Sequence, residues 1–143
     1  MRSLATFRAL LGRADSSGAD ADQPTQLHLR LTIPTLPQPA WTGMLTADVG
    51  FVPPNVYLKL SELEALATHV SGIAAQTLDP ALTFHALLRE LPGDFTPRQL
   101  AAAPQRAALA TTLDRLTVLL DILLDLYQQH TALRRELLAL LPS

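Results

Sequence analysis

Residues 104–141 read PQRAALATTLDRLTVLLDILLDLYQQHTALRRELLALL, and the rest of the chain must fold around this stretch. At 1.5 Å per residue it makes one helix about 57 Å long. On a helical wheel Leu109, Leu113, Leu116, Leu120, Leu123, Tyr127, Leu138 and Leu141 form one stripe, flanked by Leu119, Ile122, Leu126, Leu133, Leu137 and Leu140. Together they span roughly 200°, against the ~100° stripe of a helix lying on a single core. The helix therefore needs two apolar partners, one its own domain and the other, most economically, a second copy of the chain. The expected oligomer interface, with a dimer favoured, comprises Leu116, Leu119, Leu120, Ile122, Leu123, Leu126, Tyr127, His130, Leu133, Arg134 and Leu137. His130 and Arg134 break the arc at a contact position, where polar side chains set register or partner choice at some cost in stability.

Asp114, Asp121 and Asp125 fall within about 40° of one another on the opposite side and mark a solvated face. They also interrupt the apolar run, and a bilayer helix needs ~20 apolar residues in succession, so a membrane span is excluded here. Three aspartates on one helix face are not a metal site, because metal ligands converge from more than one element.

The chain of 143 residues suits one domain with appendages. Its net charge of -2 opposes a phosphate-binding surface, and the eleven basic residues, all arginine except Lys59, are scattered. With no cysteine, disulfides, thiolate metal sites and thiol nucleophiles are excluded. Arg8 interrupts any apolar core of a secretory signal near the N-terminus, so the expected compartment is the cytoplasm.

Residues 1–25 are expected to be an amphipathic helix and a flexible tether outside the folded core. Leu4, Phe7, Leu10 and Leu11 share a face with Arg2, Arg8 and Arg13 around it, which suits a docking helix, a frayed terminus or a membrane-surface helix. The Asp-, Ser- and Gly-rich run up to Thr25 has no periodicity. Residues 26–143 are expected to form a single α+β domain ending in the long helix of residues 104–141.

Within that domain three short strands are expected. Leu27, Leu29, Leu31 and Ile33 alternate with polar residues, as do Leu45, Ala47, Val49 and Phe51, and Val56, Leu58 and Leu60 make a third. Pro34, Pro37 and Pro39 make an extended connection to Trp41, and Pro53-Pro54-Asn55 turns the chain. Short connections predict an antiparallel three-stranded sheet with one apolar face under helical cover. Three short helices follow. Ser61 with Glu64 reads as a capping box for a helix to about Gln76, Asp79-Pro80 as the start of a second helix, and Thr96-Pro97 as the start of a third that Pro104 interrupts.

Chemistry is sparse. His28, His69, His85 and His130 lie on separate predicted elements or far apart, and none has metal-ligand spacing with an acid. Thr46-Ala47-Asp48-Val49-Gly50 matches acidic strand-turn motifs only weakly, and there is no phosphate loop or nucleophile elbow. The short helices between Ser61 and Ala103 imitate a helix-turn-helix with Arg98 and Arg106 near its end, but none presents a basic face. The expected function is that of a non-enzymatic oligomeric assembly or adaptor protein, without cofactor, self-associating through its long helix and binding a protein partner. The alternative is a small regulator that binds DNA or the transcription machinery.

Overall fold

The computed structural model describes residues 2–14, 52–92 and 95–141. Among these residues 89% are helical and none lies in a strand, so the described chain is all-α and the α+β expectation is wrong. Four helices are described: α1 Arg2–Ala14, α2 Pro54–Arg89, α3 Pro97–Ala102 and α4 Arg106–Leu140. The expected strands at Leu27–Ile33 and Leu45–Phe51, the proline-rich connection with Trp41, and the tether beyond Ala14 lie outside the described residues.

The third expected strand is the first turn and a half of α2. Val56 and Leu60 are buried together with Leu63, whereas Leu58 between them is 62% exposed. A strand would turn all three alternating residues to one face, while a helix turns i, i+4 and i+7 inward and i+2 out. Pro53-Pro54 is a helix start rather than a turn. Pro54 occupies the first helical position, where a missing N–H costs nothing, and Tyr57 N–H donates to the Pro53 carbonyl at 2.9 Å.

From there α2 runs for 36 residues through both expected helix starts. Ser61 and Glu64 lie inside the helix, where backbone N–H groups already have carbonyl partners and a capping box has nothing to cap. Pro80 lies inside as well. Its ring removes the bond to the Gln76 carbonyl, at ~3 kcal/mol in an ordinary helix interior. Burial opposes that cost: Pro80 itself, Thr77 and Phe84 are fully buried. Glu90 and Leu91 close α2 with bonds to carbonyls three residues back.

α3 begins where the sequence places it. Gln99 N–H donates to the Thr96 hydroxyl at 3.1 Å and Thr96 N–H donates to the Gln99 side-chain oxygen at 2.9 Å, a reciprocal cap with Pro97 at the first position. Pro104 ends it, and α4 restarts at Arg106 with Leu109 N–H on the Gln105 carbonyl at 2.8 Å. Four threonines in the two long helices, Thr68, Thr112, Thr117 and Thr131, donate their hydroxyls to the carbonyl four residues back, at 2.7 to 3.0 Å.

The chain divides into two compact units, and both long helices pass from one to the other, α2 at Gln76–Thr77 and α4 at Leu119–Leu120. In the first, α1 lies against α3. Leu4, Phe7 and Leu10 are buried, the Phe7 ring meets Phe84 of α2, and Arg8 donates to Asp114 of α4 at 2.7 Å. Three buried apolar side chains contribute ~1.5–3 kcal/mol each, so α1 belongs to the core and not to an appendage. Leu100, Leu109, Leu113 and Leu116 complete that core, and Gln105 donates to Glu90 at 2.9 Å.

In the second unit α2 and α4 pack antiparallel. Val56, Leu60 and Leu63 cluster with Leu137, while Val70, further along α2, clusters with Leu123 and Leu126, earlier along α4. Lys59 holds the same order, bonded to Glu136 at 2.8 Å. Leu66, Ile73, Ala74, Leu120 and Tyr127 pack around the second cluster, and Val52 and Leu133 around the first.

Candidate functional site

Of the eleven residues expected to form an oligomer interface, Leu116, Leu119, Leu123, Leu126 and Leu137 are buried within the chain itself. Leu120, Tyr127 and Leu133 are half-buried against the two clusters of the second unit. His130 is half-buried too, while Ile122 and Arg134 are exposed. Within the second unit Leu123, Leu126 and Leu137 sit in clusters shared with α2, with Leu120, Tyr127 and Leu133 packed around them, and a contact between copies through these side chains would require α2 and α4 to separate there. Other apolar side chains on α4 and just beyond its end are not covered. Val118, Ile122, Leu124, Leu138, Leu140 and Leu141 remain exposed, six of the nine large apolar residues exposed among those described. Leu58, Leu78 and Leu82 of α2 are the others.

The signal that would have assigned the buried side is a spacing in α2. Val56, Leu60, Leu63, Ala67, Val70, Ala74, Thr77, Ala81, Phe84, Leu88 and Leu91 follow alternating steps of four and three with no break in phase at Pro80. Leu109, Leu113, Leu116, Leu120, Leu123, Tyr127 and His130 do the same on α4. Matching stripes of this period pack along each other as paired helices.

Electrostatics in the second unit centre on Lys59. Its ammonium lies 2.8 Å from Glu136 on α4 and 3.3 Å from Glu62 on its own helix, and these bonds, Glu136 first, hold its pKa above the ordinary lysine value. Burial pushes the Tyr127 phenol up. His130 titrates below the ordinary histidine value, first because partial burial disfavours its charged form and then because Arg134 stands one turn on.

Two shallow troughs open on this unit. One, of about 380 Å³, is lined by Glu62, Ala65, Leu66 and His69 of α2 and by Gln129 and Leu133 of α4. The other, of about 350 Å³, is lined by Tyr127, Gln128, Thr131, Ala132 and Arg135 of α4. Glu62, Ala65, His69 and Gln129 are exposed, so the first trough is a groove open along its length.

His69 and His85 lie exposed on α2, in different units, and His28 and the Thr46–Gly50 stretch fall outside the described residues. Among the described residues no group of three His, Asp or Glu side chains is placed to hold a metal ion. No helix among them is long and apolar enough to cross a membrane. The chain matches no protein-family model, no curated protein and no solved structure.

Proposed function

We propose that this chain is a non-enzymatic assembly or adaptor protein of the cytoplasm that self-associates along α4 and engages a second protein. The observation that supports this reading is the split of the α4 arc. The middle of the arc makes the chain's own core with α2, and its flanks keep apolar side chains exposed within the second unit, Ile122 and Leu140 along one edge and Leu124 and Leu138 along the other. Large apolar side chains left exposed in this way are candidates for contact with another chain. The wet face is consistent with a protein partner: Asp121 and Asp125 are exposed on α4, and acidic groups repel nucleic-acid phosphates.

Light scattering on the purified chain tests the self-association. A dimer or larger species is expected at micromolar concentration, and Leu138→Glu with Leu141→Glu should lower the mass while leaving the helical circular dichroism intact. A wild type that is already monomeric at that concentration removes the self-association from the reading.

A further inference from the structure

We propose that the groove between α2 and α4 in the second unit is a docking site for a basic amphipathic helix of a partner protein. This names the partner class for the adaptor half of the function proposed above and rests on that half alone. The floor of the groove is apolar, made by half-buried Leu66 and Leu133 with Ala65, and its rim is polar, made by Glu62, His69 and Gln129. A small molecule needs enclosure of roughly 70–90% of its surface, which a groove rimmed by exposed side chains does not provide. An amphipathic helix needs only a trough for side chains at i, i+3, i+4 and i+7.

Charge selects which helix. Glu62 and Glu136 share the single ammonium of Lys59, at 3.3 Å and 2.8 Å, and both carboxylates are more than half exposed. Asp125 stands one turn before Gln129 and accepts from its amide at 2.7 Å. Three carboxylates against one lysine leave this side of the unit negative, so the complementary helix carries arginine or lysine beside its apolar stripe. The first unit shows the same chemistry satisfied within the chain. There α1 turns Leu4, Phe7 and Leu10 inward and sets Arg8 on Asp114 at 2.7 Å.

The test uses the full chain and a fluorescein-labelled peptide of about four helical turns, with leucine at i, i+3, i+7 and i+10, arginine on the flanks and alanine elsewhere. A second peptide has each arginine replaced by glutamate. Anisotropy should show binding of the basic peptide and none of the acidic one. Ala65→Arg, which adds bulk and positive charge at an exposed position, should weaken binding by about tenfold or more with unchanged thermal melting. Glu62→Lys should weaken it as well, and Asp114→Lys, in the first unit, should not. Equal binding of both peptides, undiminished binding to Ala65→Arg, loss in Asp114→Lys alone, or no binding up to about 1 mM peptide would each overturn the proposal. A fall in oligomeric mass in Ala65→Arg would overturn it too, by assigning the groove to a second copy. A monomeric wild type that still binds the basic peptide refutes self-association and leaves the groove standing. An oligomer that ignores the peptide does the reverse.

Discussion

Phe7 of α1 and Phe84 of α2 meet edge to face, with ring centroids 5.0 Å apart and planes at 80°. Both rings are fully buried. Removing a buried phenyl costs about 3–5 kcal/mol through lost transfer energy and the cavity left behind. Phe7→Ala should therefore lower the melting temperature by roughly 10 °C or more, and deletion of residues 1–14 should do at least as much. A shift of only ~2 °C in calorimetry would show that α1 contributes little to the core.

Pro80 and Asp79 separate two readings of α2. In a continuous helix Asp79 caps nothing, and its pair with Arg115 is 4.0 Å long and largely exposed, so Asp79→Ala should change stability by less than ~1 kcal/mol. Pro80→Ala restores an N–H for the Gln76 carbonyl and should be stabilising, by up to ~3 kcal/mol less whatever packing the buried ring supplies. Were a new helix to begin here, Asp79→Ala would remove its N-cap at ~0.5–2 kcal/mol and Pro80→Ala would gain nothing. Urea melts of the two variants decide between them.

His130 makes stability depend on pH in a definite direction. Its folded pKa lies below the ordinary histidine value of about 6.5, so the unfolded chain binds the proton more readily. Stability is then greatest above about 6.5 and falls as the pH drops from there through the folded pKa. His130→Gln should flatten denaturation midpoints across that window. An unchanged slope between wild type and variant would mean that the imidazole is not desolvated.

Leu123 and Leu138 lie on the same helix with opposite fates, one buried among α2 side chains and one 58% exposed. Leu123→Asp buries a charge and should abolish cooperative melting. Leu138→Asp, at an exposed position, should keep a cooperative melt, with any fall in its midpoint following loss of the oligomer. Similar damage from both would place Leu138 in a core.

How much of this was legible in the sequence depended on competing periods. The long run of α4 fixes a 3.6 period beyond ambiguity, and Thr96-Pro97 with Gln99 has no reading other than a helix start, so both were recovered within two residues. Val56, Leu58 and Leu60 were misread because residues 56 and 60 share a face in a helix, and also alternate as a strand would. Three positions cannot separate the two periods. Only the phase carried on through Leu63, Ala67 and Val70 does. Ser61–Glu64 and Asp79-Pro80 are local start signals overruled by burial along a stripe 36 residues long. The interface set on α4 rests on the same break: with α2 in pieces, the sequence offers no long partner for Leu123, Leu126 and Leu137, which cluster with α2 in the structure, and a second copy is the partner it suggests instead.

The hydroxyls of Thr68, Thr112, Thr117 and Thr131 are already spent on carbonyls of their own helices. A residue that hydropathy scores as polar then meets its surroundings mainly through its methyl group. Thr131 sits in the wall of the trough on α4 beside Ala132, so that wall is drier than its letters suggest. Anything settling there finds the threonine's one donor already satisfied, and only the lone pairs of its oxygen are left to desolvate.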